Sequence, residues 1–86
     1  MQVWKYELAK ELLMPKGAEI IKVEFQDGHL TMWVTVDPYA KQIKRHFEIF
    51  GTGHDIPKHA VYVHTYFDGS GFVWHIFELF GVEGAQ

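Results

Sequence analysis

The chain has 86 residues, no cysteine and a formal net charge of −3 with its six histidines neutral. This composition excludes disulfides and thiolate metal sites, and the acidic balance argues against a nucleic acid polymer as partner. No apolar run approaches the roughly 20 residues of a membrane span. The first residues show no basic segment followed by an apolar run, the pattern of a signal peptide, so we expect a cytoplasmic protein. The length predicts a single domain over residues 1–86.

Alternation of apolar and polar residues predicts six short strands. They cover residues 2–8, 19–26, 29–36, 43–50, 60–67 and 72–80, with at most one short helical turn near residues 9–14 and a frayed tail at residues 81–86. Asp27-Gly28 is a strong signal for a two-residue hairpin turn, and Pro38 ends the third strand. The pattern predicts an all-β fold, a six-stranded antiparallel meander that forms a small barrel or a two-layer sandwich.

Turn lengths then predict which side chains meet across the strands. The predicted pairs are Phe25 with Leu30, Val23 with Met32, Ile21 with Val34, Val36 with Ile43, Trp33 with His46, His64 with His75 and Tyr62 with Phe77. The last two strands are apolar on both faces. A chain of this size rarely covers both faces of a hairpin, so we expect a homo-oligomer, most simply a dimer.

The segment Gly51-Thr52-Gly53-His54, between two strands, is the most informative motif. Glycine-rich backbone, a hydroxyl and an imidazole suit a loop that contacts a ligand through Thr52, Gly53 and His54. The segment lacks the Lys-Ser/Thr ending of a P-loop and opens no helix. The alternative is a tight connection in which His54 only bonds a backbone carbonyl.

Two further groups of residues are candidates for ligand binding. A predicted row of Lys22, Trp33 and His46 offers cations beside an indole, which suits a nucleotide ring with a phosphate at its edge. An ordinary solvated sheet face is the alternative. Arg45 lies on the predicted core face, so it binds an anionic ligand or pairs with a carboxylate such as Glu19 or Asp37.

The predicted neighbours His64 and His75 suit either a metal or acid–base pair, or two half-buried histidines that bond hydroxyls. No spacing demands a third ligand, and no arrangement indicates a nucleophile or a pair of catalytic carboxylates. We therefore predict no metal site, no cofactor and no catalytic residue. His75 and Trp74 remain candidates for ligand binding.

Several segments resemble a family of small uncharacterised phage and prophage proteins. They are Trp-Lys-Tyr-Glu-Leu, Met-Pro-Lys-Gly-Ala, Leu-Thr-Met-Trp-Val-Thr-Val-Asp-Pro, Phe-Glu-Ile-Phe-Gly-Thr-Gly-His-Asp-Ile-Pro and Phe-Val-Trp-His-Ile-Phe-Glu. The resemblance covers nearly the whole chain, and Gly-Thr-Gly-His is its most specific part. It implies the cytoplasm of an infected or lysogenic bacterium, where some small phage β-proteins evade host immunity by sequestering signal nucleotides.

Three functions are consistent with these residues. The first is a non-enzymatic anti-defence protein that sequesters a small anionic signal nucleotide at a subunit interface, using Trp33, Trp74, Arg45 and the glycine loop. The second is an inhibitor that binds a host protein through an exposed aromatic β face. The third is a small hydrolase built on His54, His64 and His75.

Overall fold

The computed structural model describes residues 1–81, which form seven strands and no helix. The strands are β1 (Gln2–Glu7), β2 (Glu11–Pro15), β3 (Glu19–Gln26), β4 (His29–Val36), β5 (Gln42–Gly51), β6 (Val61–Phe67) and β7 (Val73–Leu79). The all-β prediction is confirmed. Within residues 1–81 no helix is available to span a membrane. Apart from Gly81, the predicted tail lies outside the described residues.

The strands form two antiparallel sheets, a three-stranded sheet in the order β1-β4-β3 and a four-stranded sheet in the order β2-β5-β7-β6. Their inner faces share one hydrophobic core, so the fold is a two-layer sandwich and no barrel closes within the described chain. Met32 and Val34 come from the three-stranded sheet, and Phe47 and Ile76 from the four-stranded sheet. None of these four residues is more than 2% exposed.

The helical turn that the sequence allows at residues 9–14 does not form, because Glu11–Pro15 is the edge strand β2. Leu8 still donates its N–H to Leu30 in the three-stranded sheet (2.8 Å), whereas the carbonyl of Lys10 accepts from Phe47 in the four-stranded sheet (2.9 Å). The chain therefore crosses between the sheets at these residues. Pairing with β5 overrides the helical preference of the segment, and an edge position tolerates Pro15.

The Asp27-Gly28 turn is confirmed as a two-residue hairpin, with positive φ angles of 52° and 80° as a type I′ turn requires. The pairs nearest the turn follow the prediction, including Val23 with Met32. Farther along, a bulge between Ile20 and Lys22 shifts the register. The predicted pairing of Ile21 with Val34 is therefore wrong, because the extra residue leaves Ile21 exposed.

No hairpin joins β4 to β5, so the predicted pairs Val36–Ile43 and Trp33–His46 are wrong. The backbone turns after Asp37, whose carbonyl accepts from Ala40 (3.1 Å) and whose side chain accepts from Tyr39 (3.0 Å). This turn carries the chain into the opposite sheet. Edge-to-edge pairing would place the apolar faces of β4 and β5 side by side in one sheet, whereas their positions in opposite sheets let both faces contribute to the core between the layers.

The last hairpin pairs β6 with β7 one residue away from the predicted register. Asp68 donates its N–H to the carbonyl of Phe72 (3.2 Å), which shortens the loop to three residues. His64 consequently faces Ile76 and not His75, so the predicted histidine pair is wrong. A bulge between Tyr62 and His64 then restores the register, and the predicted pair of Tyr62 with Phe77 is confirmed.

Candidate functional site

The glycine loop begins with a tight turn at the end of β5. His54 donates its N–H to the carbonyl of Gly51 (3.1 Å), and Gly53 has the positive φ of 90° that a type II turn needs at its third residue. The N–H of Gly51 donates in turn to Nδ1 of His54 (3.2 Å). The imidazole thus bonds a backbone N–H instead of a carbonyl, and it holds the turn closed.

Gly51 allows two rings to approach the backbone. A Cβ atom at this position would lie 3.1 Å from Cε1 of His54 and 3.3 Å from Cζ3 of Trp74, which is tighter than almost all real contacts. Trp74 is also the residue opposite Gly51 in the β5–β7 ladder. The imidazole and the indole therefore both lie against Gly51, and a larger residue at this position would require them to shift by a few tenths of an ångström.

Asp68, in the loop between β6 and β7, fixes the orientation of Trp74. One carboxylate oxygen accepts from Nε1 of Trp74 (2.8 Å), and the other accepts from the N–H (2.8 Å) and the hydroxyl (2.6 Å) of Ser70. These bonds, that of the Ser70 hydroxyl first, lower the pKa of Asp68 to about 2. The carboxylate consequently stays charged at neutral pH and holds the indole edge.

A groove of about 370 Å³ lies between the glycine loop and this hairpin. Its lining residues are mostly aromatic or glycine: Gly51, Thr52, His54, Gly71, Phe72, Val73 and Trp74. The rings of Phe72 and Trp74 have centroids 6.2 Å apart, at an interplanar angle of 39°. No Lys or Arg is among these lining residues, so aromatic surface and not positive charge dominates the groove.

A chain of hydrogen bonds connects the groove to the outer face of the four-stranded sheet. Oγ1 of Thr52 bonds the carbonyl of Val73 (3.4 Å) and Nε2 of His75 (3.0 Å). Nδ1 of His75 bonds Thr65 (3.0 Å), whose hydroxyl bonds that of Tyr62 (2.8 Å). Because a carbonyl only accepts, a neutral His75 with its proton on Nε2 satisfies every member of this chain.

Arg45 lies away from the groove in an internal ion pair. Its Nε and Nη2 donate to the two carboxylate oxygens of Glu78, both at 2.7 Å, and Nη1 donates to the carbonyl of Ala18 (2.6 Å). The Arg45 and Glu78 side chains are 13% and 7% exposed. The predicted partners Glu19 and Asp37 are therefore wrong, because β7 and not β4 is the neighbour of β5.

Trp33 and His46 lie in different sheets, so the predicted row of Lys22, Trp33 and His46 does not form. Trp33 stands opposite Lys22 on β3 and Lys5 on β1. His46 stands opposite Glu11 on β2. Its buried Nε2 lies 3.8 Å from Glu11, which is too far for a hydrogen bond.

The geometry contains residues that sequence reasoning did not select. Phe72 and Asp68 shape the groove, but the sequence marks residues 68–71 only as a hairpin loop. The sequence signal for the bond between Asp68 and Trp74 is an aspartate six residues before a tryptophan in a predicted hairpin. As for metals, residues 1–81 contain no group of three or more His, Asp or Glu side chains placed to hold an ion.

Comparison with known proteins places the chain in a family. A family model described as "Domain of unknown function (DUF7352)" matches residues 1–84. The chain belongs to this family. The DUF7352 description assigns no activity, which agrees with the predicted resemblance to an uncharacterised family. No curated protein and no solved structure matches this DUF7352 chain, so its function has to be argued from the groove and the sheet faces.

Proposed function

We propose that this chain is a non-catalytic binding protein that holds a flat aromatic ring, such as the base of a nucleotide, in the groove at the glycine loop. One observation carries the proposal: most of the residues selected from sequence for ligand binding meet at this groove. They are Thr52, His54 and Trp74 in its lining, Gly53 in its turn and His75 bonded to Thr52. Arg45, Trp33 and His46 lie elsewhere.

The chemistry of the groove favours stacking. Trp74 and Phe72 offer ring faces, and stacking of one base on an aromatic side chain contributes about 1–3 kcal/mol. The N–H groups of Thr52 and Gly53 take no part in the hydrogen bonds of the turn, and backbone N–H groups in such turns suit an anionic oxygen. Arg45 contributes no charge here because Glu78 and Ala18 engage it.

The resemblance to small phage and prophage proteins gives this proposal a biological setting. In the cytoplasm of an infected or lysogenic bacterium, a protein that binds a signal nucleotide without changing it would lower the free concentration of that signal. Host defence systems that depend on the signal would then be less active. This anti-defence function requires no cofactor and no catalytic residue.

Ligand binding should raise the melting temperature of the protein, and Trp74→Leu should remove this effect. A ligand at 100 times its Kd stabilises the folded state by about 2.7 kcal/mol. The measurement is a thermal shift assay over a panel of cyclic, linear and ADP-ribose-derived nucleotides. Trp33→Leu is the matched control, because Trp33 is also half-buried but lies on the other sheet.

Two outcomes would overturn this proposal. A panel in which no nucleotide raises the melting temperature would remove the ring-binding function. Ligand recovered from heat-denatured protein in altered form would replace sequestration by catalysis, and a hydrolase built on His54 or His75 would then be the better interpretation.

A second candidate function rests on the outer face of the four-stranded sheet. Phe77 packs edge to face against Phe50, with centroids 5.9 Å apart, and against Tyr62, at 5.6 Å. Neither Phe77 nor Tyr62 belongs to the core between the sheets, and Tyr62 is 57% exposed. An exposed aromatic face of this kind suits a protein partner. We propose a second copy of this chain as that partner, with a host protein as the alternative.

Light scattering should therefore give twice the 10.0 kDa mass of one chain, and Tyr62→Lys should lower the measured mass. Burying the new charge in a self-complementary interface would be unfavourable. Tyr39→Lys is the control, because Tyr39 is 96% exposed in the β4–β5 connection and lies off this face. A wild-type protein that stays monomeric at all concentrations would exclude self-association. The host protein would then be the remaining candidate partner for this face.

A further inference from the structure

Most polar side-chain groups in the groove are already committed to internal partners. The lining residues with such groups are Thr52, His54 and Trp74. The indole N–H of Trp74 donates to Asp68 (2.8 Å). The hydroxyl of Thr52 bonds His75 (3.0 Å) and lies 3.4 Å from a backbone carbonyl. His54 is left as the side chain whose polar group a ligand in the groove can use.

The bond from Gly51 determines which group His54 offers. Because the N–H of Gly51 donates to Nδ1 (3.2 Å), that nitrogen supplies its lone pair. A neutral imidazole then carries its one proton on Nε2. Nε2 is bonded to Cε1, the ring atom that lies with Cζ3 of Trp74 against Gly51. A single N–H donor thus belongs to a side chain that lines the same groove as the indole that would stack on a ligand ring.

We propose that His54 is the specificity-determining residue of the groove and selects rings that present a carbonyl oxygen over rings that present an amino group at the same position of the edge. This inference rests on the proposed function, since it concerns a ring stacked on Trp74. A ring with an amino group at that position would place its own N–H donor against the Nε2–H donor of His54. Discrimination follows because the carbonyl ligand gains a hydrogen bond from His54 that the amino ligand does not make.

The test compares ligands that differ only in this edge. Inosine 5′-monophosphate and adenosine 5′-monophosphate carry a carbonyl and an amino group at the same ring position, and uridine and cytidine 5′-monophosphates form a second such pair. We expect wild-type protein to bind the carbonyl member of each pair about three- to tenfold more tightly in isothermal titration, as one hydrogen bond implies.

His54→Phe keeps a flat ring over Gly51 but has no N–H donor, so it should bind both members of each pair equally. His54→Asn is the second variant, since an amide retains both an acceptor for Gly51 and an N–H donor, and it should keep part of the preference. It also serves if the loss of the acceptor for Gly51 prevents His54→Phe from folding.

The outcomes separate this inference from the proposed function. If none of the four nucleotides nor any other ring ligand binds, the groove is not a ring site and the proposed function fails. If ligands bind wild-type protein without preferring the carbonyl member, His54 does not select the ligand, and the groove remains a ring-binding site. A preference that persists in His54→Phe would place the selecting donor elsewhere and overturn the inference.

Discussion

Replacing Arg45 by Met is expected to lower the free energy of unfolding by about 3–5 kcal/mol. The guanidinium donates to both carboxylate oxygens of Glu78 at 2.7 Å, and both side chains are nearly buried. Without Arg45, a carboxylate remains in the interior with no opposite charge. Such a loss is a large part of the total stability of a small domain. Urea denaturation followed by tryptophan fluorescence measures it.

Lys44→Met is the matched control, because Lys44 is the preceding residue of the same strand and also faces a carboxylate. Its ammonium group lies 3.7 Å from Glu11, but both side chains are well exposed. Exposed pairs of this kind contribute about 0–1 kcal/mol. Equal effects of Arg45→Met and Lys44→Met would contradict the internal pair.

A double variant separates the pair from the packing around it. Arg45→Met with Glu78→Leu removes both charges and keeps apolar volume, so it should recover most of the stability that Arg45→Met loses. If the double variant is no more stable than the single one, the unpaired carboxylate is not the source of the loss. The cost would then come from the contacts of the Arg45 side chain itself.

The partner of Arg45 illustrates what could and could not be predicted from the sequence. Its position on the inner face followed from alternation within one strand, which is local information. Glu78 lies on β7, which pairs directly with β5 in the sheet. In the sequence, β6 comes between these two strands. Non-sequential pairing of this kind depends on how two sheets share the strands, and no turn between β5 and β7 encodes it.

The hairpins show the same division between local and global information. Asp27-Gly28 predicts its turn and the first pairs correctly, because the turn geometry fixes the register beside it. A bulge then moves Ile21 out of register, and the sequence carries no clear sign of it. In the last hairpin, the bond between Asp68 and Phe72 shifts the register by one residue. This shift in the β6–β7 hairpin places His64 opposite Ile76, so His64 and His75 are not paired.

The candidate site was also only partly predictable from the sequence, because local composition indicates its residues but not their contacts. Glycine and histidine composition marks the loop at residues 51–54, and aromatic content marks Trp74. Their meeting depends on β5 pairing with β7, which sets Gly51 opposite Trp74. Phe72 and Asp68 were missed because a loop residue acquires its role only when the partner loop is in place.

Replacing Met14 by Ala is expected to lower the free energy of unfolding by about 2–5 kcal/mol, as for other large-to-small changes in a core. Met14 lies in β2, in a segment where the sequence also allows a helical turn, and it is fully buried in the core. Leu13→Ala is the matched control. Successive strand residues point to opposite faces, and Leu13 is 58% exposed, so its loss should stay below about 1 kcal/mol.

This pair of variants tests the strand itself as well as the packing. A large loss at one residue and a small loss at the residue before it indicate an alternating segment against a core, because a frayed or solvent-exposed turn would tolerate both changes. Comparable small losses for Met14→Ala and Leu13→Ala would mean that β2 is not anchored to the sandwich. Since β2 follows the crossing from the three-stranded to the four-stranded sheet, a large effect at Met14 alone would show that packing of this edge strand contributes to the stability of the whole domain.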